Sequence, residues 1–149
     1  MENINKNIKY VKASLDDEEQ IKSILKNLKG DRDNFNLKRF VVAKYGELVV
    51  GCIRVKVFDG GILELSSLAV LPEYQNKGIG SKLVKNFLQF EQSRPIFLLT
   101  SLDKESFYKK FGFIIKESQK LPEIFKKEYD RIISLPFANN IKVIAMALE

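Results

Sequence analysis

The stretch from Glu64 to Phe90 constrains this chain more than any other. A strand-like run, Glu64-Leu65-Ser66-Ser67-Leu68-Ala69-Val70, leads through Leu71-Pro72-Glu73-Tyr74 into the loop Gln75-Asn76-Lys77-Gly78-Ile79-Gly80. After the loop, Leu83, Val84, Phe87 and Leu88 recur at helical spacing, with Lys82, Lys85, Asn86 and Gln89 between them, so an amphipathic helix is predicted. The start of a helix offers backbone N–H groups with no intrahelical partner, and its dipole adds partial positive charge, so it suits a phosphate. Gly78 and Gly80 carry no Cβ, which lets an oxygen approach the amides and lets the loop take positive φ. Lys77 and the Gln75 side chain add donors beside them. The loop reads as a cradle for a pyrophosphate.

Two familiar phosphate motifs do not fit. A Gly-x-Gly-x-x-Gly dinucleotide fingerprint needs a third glycine at position 83, which is Leu83, and a P-loop needs a Gly-Lys-Ser/Thr ending that is absent. On the loop alone, a plain glycine turn between strand and helix stays open as the other reading.

At 149 residues the chain is expected to form one domain, residues 1–149, able to bury about two thirds of its unfolded surface. The apolar runs fall far short of the roughly 20 residues needed to cross a bilayer, and Met1-Glu2-Asn3-Ile4-Asn5-Lys6 has no signal-peptide core, so a cytoplasmic location and no membrane are expected. The single Cys52 agrees with a reducing compartment. A net charge of +6 raises nucleic acid as a partner, but the basic residues are spread along the chain and no nucleic-acid motif accompanies them. Lys77, Lys82, Lys85, Lys104, Lys109 and Lys110 suit a phosphate-rich cofactor instead. With no histidine and one cysteine, the carboxylates are not spaced as a metal site, and no metal is expected.

Ile8 to Lys12 reads as a first strand. Ser14 followed by Asp16, Asp17 and Glu18 caps a helix carried by Ile21, Ile24, Leu25 and Leu28 and closed by Gly30. Asp31 to Leu37 is a polar connection with room for a short second helix. Phe40 to Lys44, Leu48 to Phe58 and Ile62 to Val70 form an antiparallel meander turned at Tyr45-Gly46-Glu47 and Asp59-Gly60-Gly61. The helix from Gly80 to about Glu91 and a strand from Pro95 to Thr100 complete a βαβ unit. A short helix over Leu102 to Lys110, a strand from Gly112 to Lys116, a helix around Ile124 to Ile132 ended by Pro136, and a last strand from Ile141 to Leu148 follow.

The run from Leu68 to Leu83 resembles the acetyl-CoA-binding motif of the GNAT superfamily of N-acetyltransferases, whose loop pattern is Gln/Arg-x-x-Gly-x-Gly/Ala. Ser106-Phe107-Tyr108-Lys109-Lys110-Phe111-Gly112-Phe113 resembles that superfamily's Phe-Tyr-x-x-x-Gly-Phe segment, at the expected distance downstream. The resemblance implies a single α/β (α+β) domain of the GNAT type: a mixed, mostly antiparallel twisted sheet of about six to seven strands with helices on both faces. It implies acetyl-CoA as co-substrate, held by backbone and side-chain groups of Leu68, Ala69, Val70, Gln75, Asn76, Lys77, Gly78, Ile79, Gly80 and Ser81. Ser101 stands where many family members have an asparagine, and by this resemblance Ser101 or Asp103 would take part of that contact. The helix-loop-helix region after the first helix lies over the acceptor site in this superfamily. Its members also splay the strand before the loop at a bulge, so that Leu68 and Val70 would offer backbone groups to pantetheine and the thioester oxygen.

Acyl transfer from a thioester to an amine needs a neutral amine, a stabilised oxyanion and a stabilised thiolate. An alkyl ammonium with a pKa near 10 is neutral only on the order of 0.1% of the time at pH 7, so a base contributes. Without histidine the base must be a carboxylate, and Glu64, six positions before Val70, resembles the catalytic glutamate of histone-type members. An exposed glutamate on a strand face is the other reading. Tyr108 occupies the position of the family's thiolate-facing tyrosine and is the candidate acid, against a packed aromatic beside Phe107, Phe111 and Phe113. Cys52, in an apolar strand with no base beside it, is read as inert, so transfer is direct.

The expected activity is acetyl transfer to the primary amine of a small molecule. Gly112-Phe113, Leu121-Pro122-Glu123-Ile124, Glu128-Tyr129, Leu135-Pro136 and Met146 resemble small-molecule amino-acid N-acetyltransferases of the superfamily. A peptide N-terminus or lysine as acceptor, and a coenzyme A-binding module without turnover, are the alternatives. A homodimer paired through the final strand is an arrangement the superfamily offers by analogy.

Overall fold

The computed structural model describes residues 4–149. Residues 1–3, part of the opening read above as lacking a signal-peptide core, lie outside the described residues. Seven strands form one sheet in the order β1-β2-β3-β4-β5-β7-β6: β1 Ile8–Lys12, β2 Phe40–Tyr45, β3 Leu48–Phe58, β4 Ile62–Val70, β5 Ile96–Ser101, β6 Ile114–Lys116 and β7 Val143–Leu148. The helices are α1 Glu18–Asn27, α2 Ile79–Phe90, α3 Glu105–Lys109 and α4 Glu123–Ile133. β1 with β2, β2 with β3, β5 with β7 and β6 with β7 are antiparallel, and β4 with β5 is parallel, as the βαβ reading requires. The expected strands are all present, in a mixed and mostly antiparallel sheet.

Two compact units make up the chain: Met1–Val55 with Ser66–Gln92, and Lys56–Leu65 with Ser93–Glu149. Both β3 and β4 are divided between them.

In the first unit, α1 begins through the device its sequence announces. Ser14 N–H donates to Asp17 Oδ2 at 2.9 Å and Asp17 N–H to the Ser14 carbonyl at 2.9 Å, a reciprocal cap around one 3-10 turn at Leu15–Asp17. Asp17 is buried, and Lys44 Nζ meets its Oδ1 at 2.9 Å. At the other end, Gly30 N–H reaches the Leu25 carbonyl at 2.8 Å, while the left-handed residue is Lys29 (φ 57°) rather than Gly30. Ile21, Ile24 and Leu25 pack on Phe40, Val42, Val49 and Cys52. Burying each large aliphatic side chain stabilises by roughly 1.5–3 kcal/mol, which fixes α1 on this part of the sheet.

The room for a second helix after Asp31 is not used. The segment is held by polar side chains instead: Asp31 Oδ1 accepts from Asp33 N–H at 3.0 Å and Asn36 Oδ1 from Lys38 N–H at 3.1 Å, and only a 3-10 turn forms, at Leu37–Arg39. Short Asp and Asn side chains compete for the backbone bonds a helix would need. β3 runs past β4 and α2 with a glycine at the tight point. A Cβ on Gly51 would lie 3.0 Å from the Ala69 carbonyl oxygen and 3.0 Å from Leu83 Cδ1.

In the second unit, Phe97, Leu121, Phe125, Ala145 and Ala147 form a core, with the Phe97 and Phe125 ring centroids 5.2 Å apart. This seats α4 on β5 and β7. The predicted end of α4 before Pro136 holds, since the helix stops at Ile133.

Candidate active site

β4 delivers the chain to the loop, and its burial changes along its length. Leu63, Glu64 and Leu65 are buried, whereas Ser66 through Val70 are all half-buried, without the alternation of a strand that opens on one face alone. Its parallel pairing with β5 is Leu63 with Ile96 and Glu64 with Phe97. At Ser67 the backbone takes φ 58°, a left-handed value inside a strand at a residue with a side chain. Such a conformation costs on the order of 1–3 kcal/mol and persists where its surroundings fix it. Arg54, 1% exposed, donates from Nε to Ser67 Oγ at 2.9 Å, Ser67 Oγ donates to the Asp31 carbonyl at 2.7 Å, and Cys52 Sγ lies 3.5 Å from the Ser67 carbonyl as its donor. The kink falls one residue before Leu68, Ala69 and Val70.

Beyond Val70 the loop is exposed from Gln75 to Gly78. Asn76 (φ 64°) and Gly78 (φ 82°) are left-handed, and Gly78 is the cap of α2. A side chain at Gly78 would meet no atom within 4 Å, so the glycine serves the backbone conformation rather than space. The first backbone bond of α2 runs from Lys82 N–H to the Gly78 carbonyl at 3.1 Å, so the amides of Ile79, Gly80 and Ser81 stand ahead of the helical ladder. Ile79 offers this site only its backbone, since its side chain is buried. The Gln75 side chain, read from the sequence as a phosphate donor, donates from Nε2 to the Val70 carbonyl at 2.9 Å. It ties the loop to the end of β4. Leu83, Val84 and Phe87 are buried and Leu88 half-buried, as the periodicity requires.

Glu64 and Tyr108 belong to the other compact unit. Glu64 is 5% exposed, which removes the reading of a solvated glutamate on a strand face. Lys56, itself buried, brings its Nζ to 3.8 Å from Glu64 Oε1 and lies 5.7 Å from the Phe58 ring centroid. Tyr108 is 9% exposed on α3, packed edge-on against Phe107 (centroids 5.0 Å) and Phe113 (6.0 Å). Burial pushes its phenol up to about 12, so it keeps its proton at any physiological pH. Ser101 ends β5 opposite Val143 and caps the 3-10 turn that leads to α3. Burial likewise pushes the Cys52 thiol up to about 12, only partly opposed by the Arg54 charge, so it is not a thiolate.

Sequence reasoning missed the cluster of Arg54, Asp31, Asn34 and Ser67. Its signal was present in the run Leu48 to Phe58, where Arg54 and Lys56 interrupt an apolar strand two residues apart. A charge in such a strand needs a partner: Arg54 meets half-buried Asp31, and Lys56 meets buried Glu64.

Among the described residues no group of His, Cys, Asp and Glu is placed to hold a metal, and no helix is long and apolar enough to cross a membrane. Residues 36–115 match the family described as an acetyltransferase (GNAT) domain. A Chlorobaculum tepidum protein named as an uncharacterized N-acetyltransferase is 34% identical over 91 residues, covering 59% of this chain and 57% of its own. An amino-acid acetyltransferase of Buchnera aphidicola is 28% identical over 113 residues, covering 73% of this chain and 25% of its own. The chain thus spans 57% and 25% of the length of these relatives. N-acetylglutamate synthase from Neisseria gonorrhoeae, solved with coenzyme A and N-acetyl-glutamate, superposes with a TM-score of 0.73 at 19% identity over 95% of this chain and 35% of its own. Naa50 of Arabidopsis thaliana, in complex with the bisubstrate analogue CoA-Ac-MVNAL, superposes with a TM-score of 0.61 at 21% identity over 96% of this chain and 99% of its own. The kinked strand, the glycine-capped helix and the match over residues 36–115 place this chain in the GNAT acetyltransferase family.

Proposed function

We propose that this protein is an acetyl-CoA-dependent N-acetyltransferase that acts on the primary amine of a small molecule, an amino acid or related amine, by direct attack in a ternary complex. The observation that carries the reading is the loop itself: left-handed Gly78 opens α2 so that the Ile79, Gly80 and Ser81 amides precede the helical ladder, the geometry a pyrophosphate requires. Lys77 and Asn76 flank those amides, and Leu68, Ala69 and Val70, after the Ser67 kink, offer backbone groups to pantetheine and the thioester oxygen. Ser101 takes part of the contact made elsewhere in the family by asparagine.

Glu64 acts as the base, directly or through water, and the Lys56 ammonium compensates its charge in a buried site. Tyr108 donates to the departing sulfur. A phenol raised to about 12 is a weaker acid than the thiol it serves, so its part is a hydrogen bond that strengthens as charge builds on sulfur. The amine nitrogen forms its bond to the acetyl carbon, the C–S bond breaks, the proton lost by the nitrogen passes to Glu64, and coenzyme A leaves as a thiolate hydrogen-bonded by Tyr108. The thiolate takes a proton from solvent as Glu64 returns its own there. A Cys52 thiol held near 12 supports direct attack over an acetyl-cysteine intermediate.

The amino-acid acetyltransferase among the relatives supports a small acceptor, as does the resemblance of the tail to such enzymes. The bisubstrate complex of the Arabidopsis fold-mate keeps a peptide amine as the second reading. Thermal shift with acetyl-CoA, coenzyme A and propionyl-CoA tests the donor: a ligand at 100 times its Kd stabilises by about 2.7 kcal/mol, which a melting curve resolves. Thiol release with amino acids, polyamines, and peptides bearing free N-termini or lysines then tests the acceptor. Turnover with amino acids or simple amines supports the reading, and turnover with peptides alone replaces it.

A further inference from the structure

The kink at Ser67 is held from a segment far away in sequence. Arg54 donates from Nε to Ser67 Oγ at 2.9 Å, from Nη1 to the Asn34 carbonyl at 3.2 Å and from Nη2 to the Asp31 carbonyl at 3.1 Å, with Asp31 Oδ1 3.5 Å from Nη2. Ser67 Oγ donates to that same Asp31 carbonyl at 2.7 Å, and Ser66 Oγ donates to Asp31 Oδ2 at 3.2 Å. The guanidinium is buried and lies 5.6 Å from the Phe40 ring centroid, so its position is set by packing as well as by polar contacts. Every face of this fork is turned inward, which makes it a fastener and not a ligand-binding cation.

The fastened parts are informative. One is the 31–36 segment, which forms no helix and includes left-handed Asn34 (φ 54°). The other is the strand residue whose left-handed backbone aims Leu68 through Val70. Neither conformation is the default for its residue type, and each is held by the other through Arg54. Two elements that hold each other must respond to each other: a ligand that binds the kinked strand better than a straight one stabilises the 31–36 segment by linkage.

We propose that Arg54 is a positioning residue that couples the 31–36 segment to the kinked strand, so that coenzyme A bound along Leu68 to Ser81 orders that segment. This rests on the reading that those residues hold the donor. In consequence, the binding of the donor prepares a surface loop before any acceptor arrives.

Amide hydrogen exchange on the full chain, with and without saturating coenzyme A, tests it in the native protein and in Ser67→Ala and Arg54→Lys, with melting curves run alongside. In the native protein exchange should slow about tenfold at 75–81 and also at 31–36. In both variants the slowing at 75–81 should persist while that at 31–36 falls below about twofold. A loss of stability alone would speed exchange without removing the response to ligand, and Ser67→Ala, which deletes one hydroxyl, guards against a misfolded arginine variant. Slowing at 75–81 with none at 31–36 in the native protein, or an undiminished response in the variants, overturns the coupling. No slowing at 75–81 and no melting shift overturns the donor reading itself and the coupling with it.

Discussion

Lys56 Nζ stands 3.8 Å from Glu64 Oε1, and the two side chains are only 5% and 7% exposed. Two opposite charges shielded from water depend on each other, because removing one leaves the other buried without compensation. They lie on β3 and β4 of the second compact unit, on either side of the Asp59-Gly60-Gly61 turn.

Lys56→Met should therefore destabilise the fold strongly, by roughly 3–5 kcal/mol, whereas Lys56→Met with Glu64→Gln should recover most of that loss. Urea denaturation of the two variants measures it. Equal stability of single and double variants would mean that the charges are not coupled.

Tyr108→Phe should lower kcat by on the order of 10²-fold while leaving the melting shift with coenzyme A intact. It should also change the alkaline stability profile. The phenol is raised to about 12 in the folded state against about 10 when unfolded, so its contribution is fully present below pH 10 and is lost as the pH rises from 10 towards 12. The phenylalanine variant should lack that component of the decline.

Asp17 predicts the acid limit of stability. Burial alone would raise its carboxyl, but the Ser14 N–H, the Lys44 ammonium and the Ser14 hydroxyl together hold it below the usual carboxylate value. A depressed folded value means stability that is present above about pH 4 and lost as the pH falls through the folded pKa. Asp17→Asn should flatten this acid limb and cost roughly 1–3 kcal/mol at pH 7, read from denaturation midpoints across pH.

Gly78→Ala places a side chain at φ 82°, which should cost roughly 1–2 kcal/mol and weaken coenzyme A binding, as calorimetric titration would show. No atom lies within 4 Å of the added carbon, so the effect is one of backbone conformation. Unchanged binding would argue against the loop as the donor cradle.

The strands and helices were legible because their apolar periods are strong: Leu83, Val84 and Phe87 bury as spaced, and Tyr45-Gly46-Glu47 turns where the apolar runs break. The 31–36 segment was not, because Asp31, Asp33, Asn34 and Asn36 settle their geometry by contacts with their own backbone and with Arg54, partners no local pattern displays. The resemblance singles out Glu64 through its spacing to Val70, but the buried charge that accompanies it, Lys56, lies on the preceding strand, where that spacing does not reach. Gln75 shows the converse: its donor was foreseen, but the donor serves Val70.

Thiol release from acetyl-CoA, followed together with the N-acetylated amine by mass spectrometry, is the decisive measurement of acetyl transfer by this protein. Thiol and acetyl-amine should appear in equal amounts with at least one small primary amine, and Glu64→Gln should slow both on the order of 10²-fold while acetyl-CoA still raises the melting temperature. Acetyl-CoA binding without thiol release across amines and peptides, or undiminished release by Glu64→Gln, would contradict acetyl transfer with Glu64 as the base.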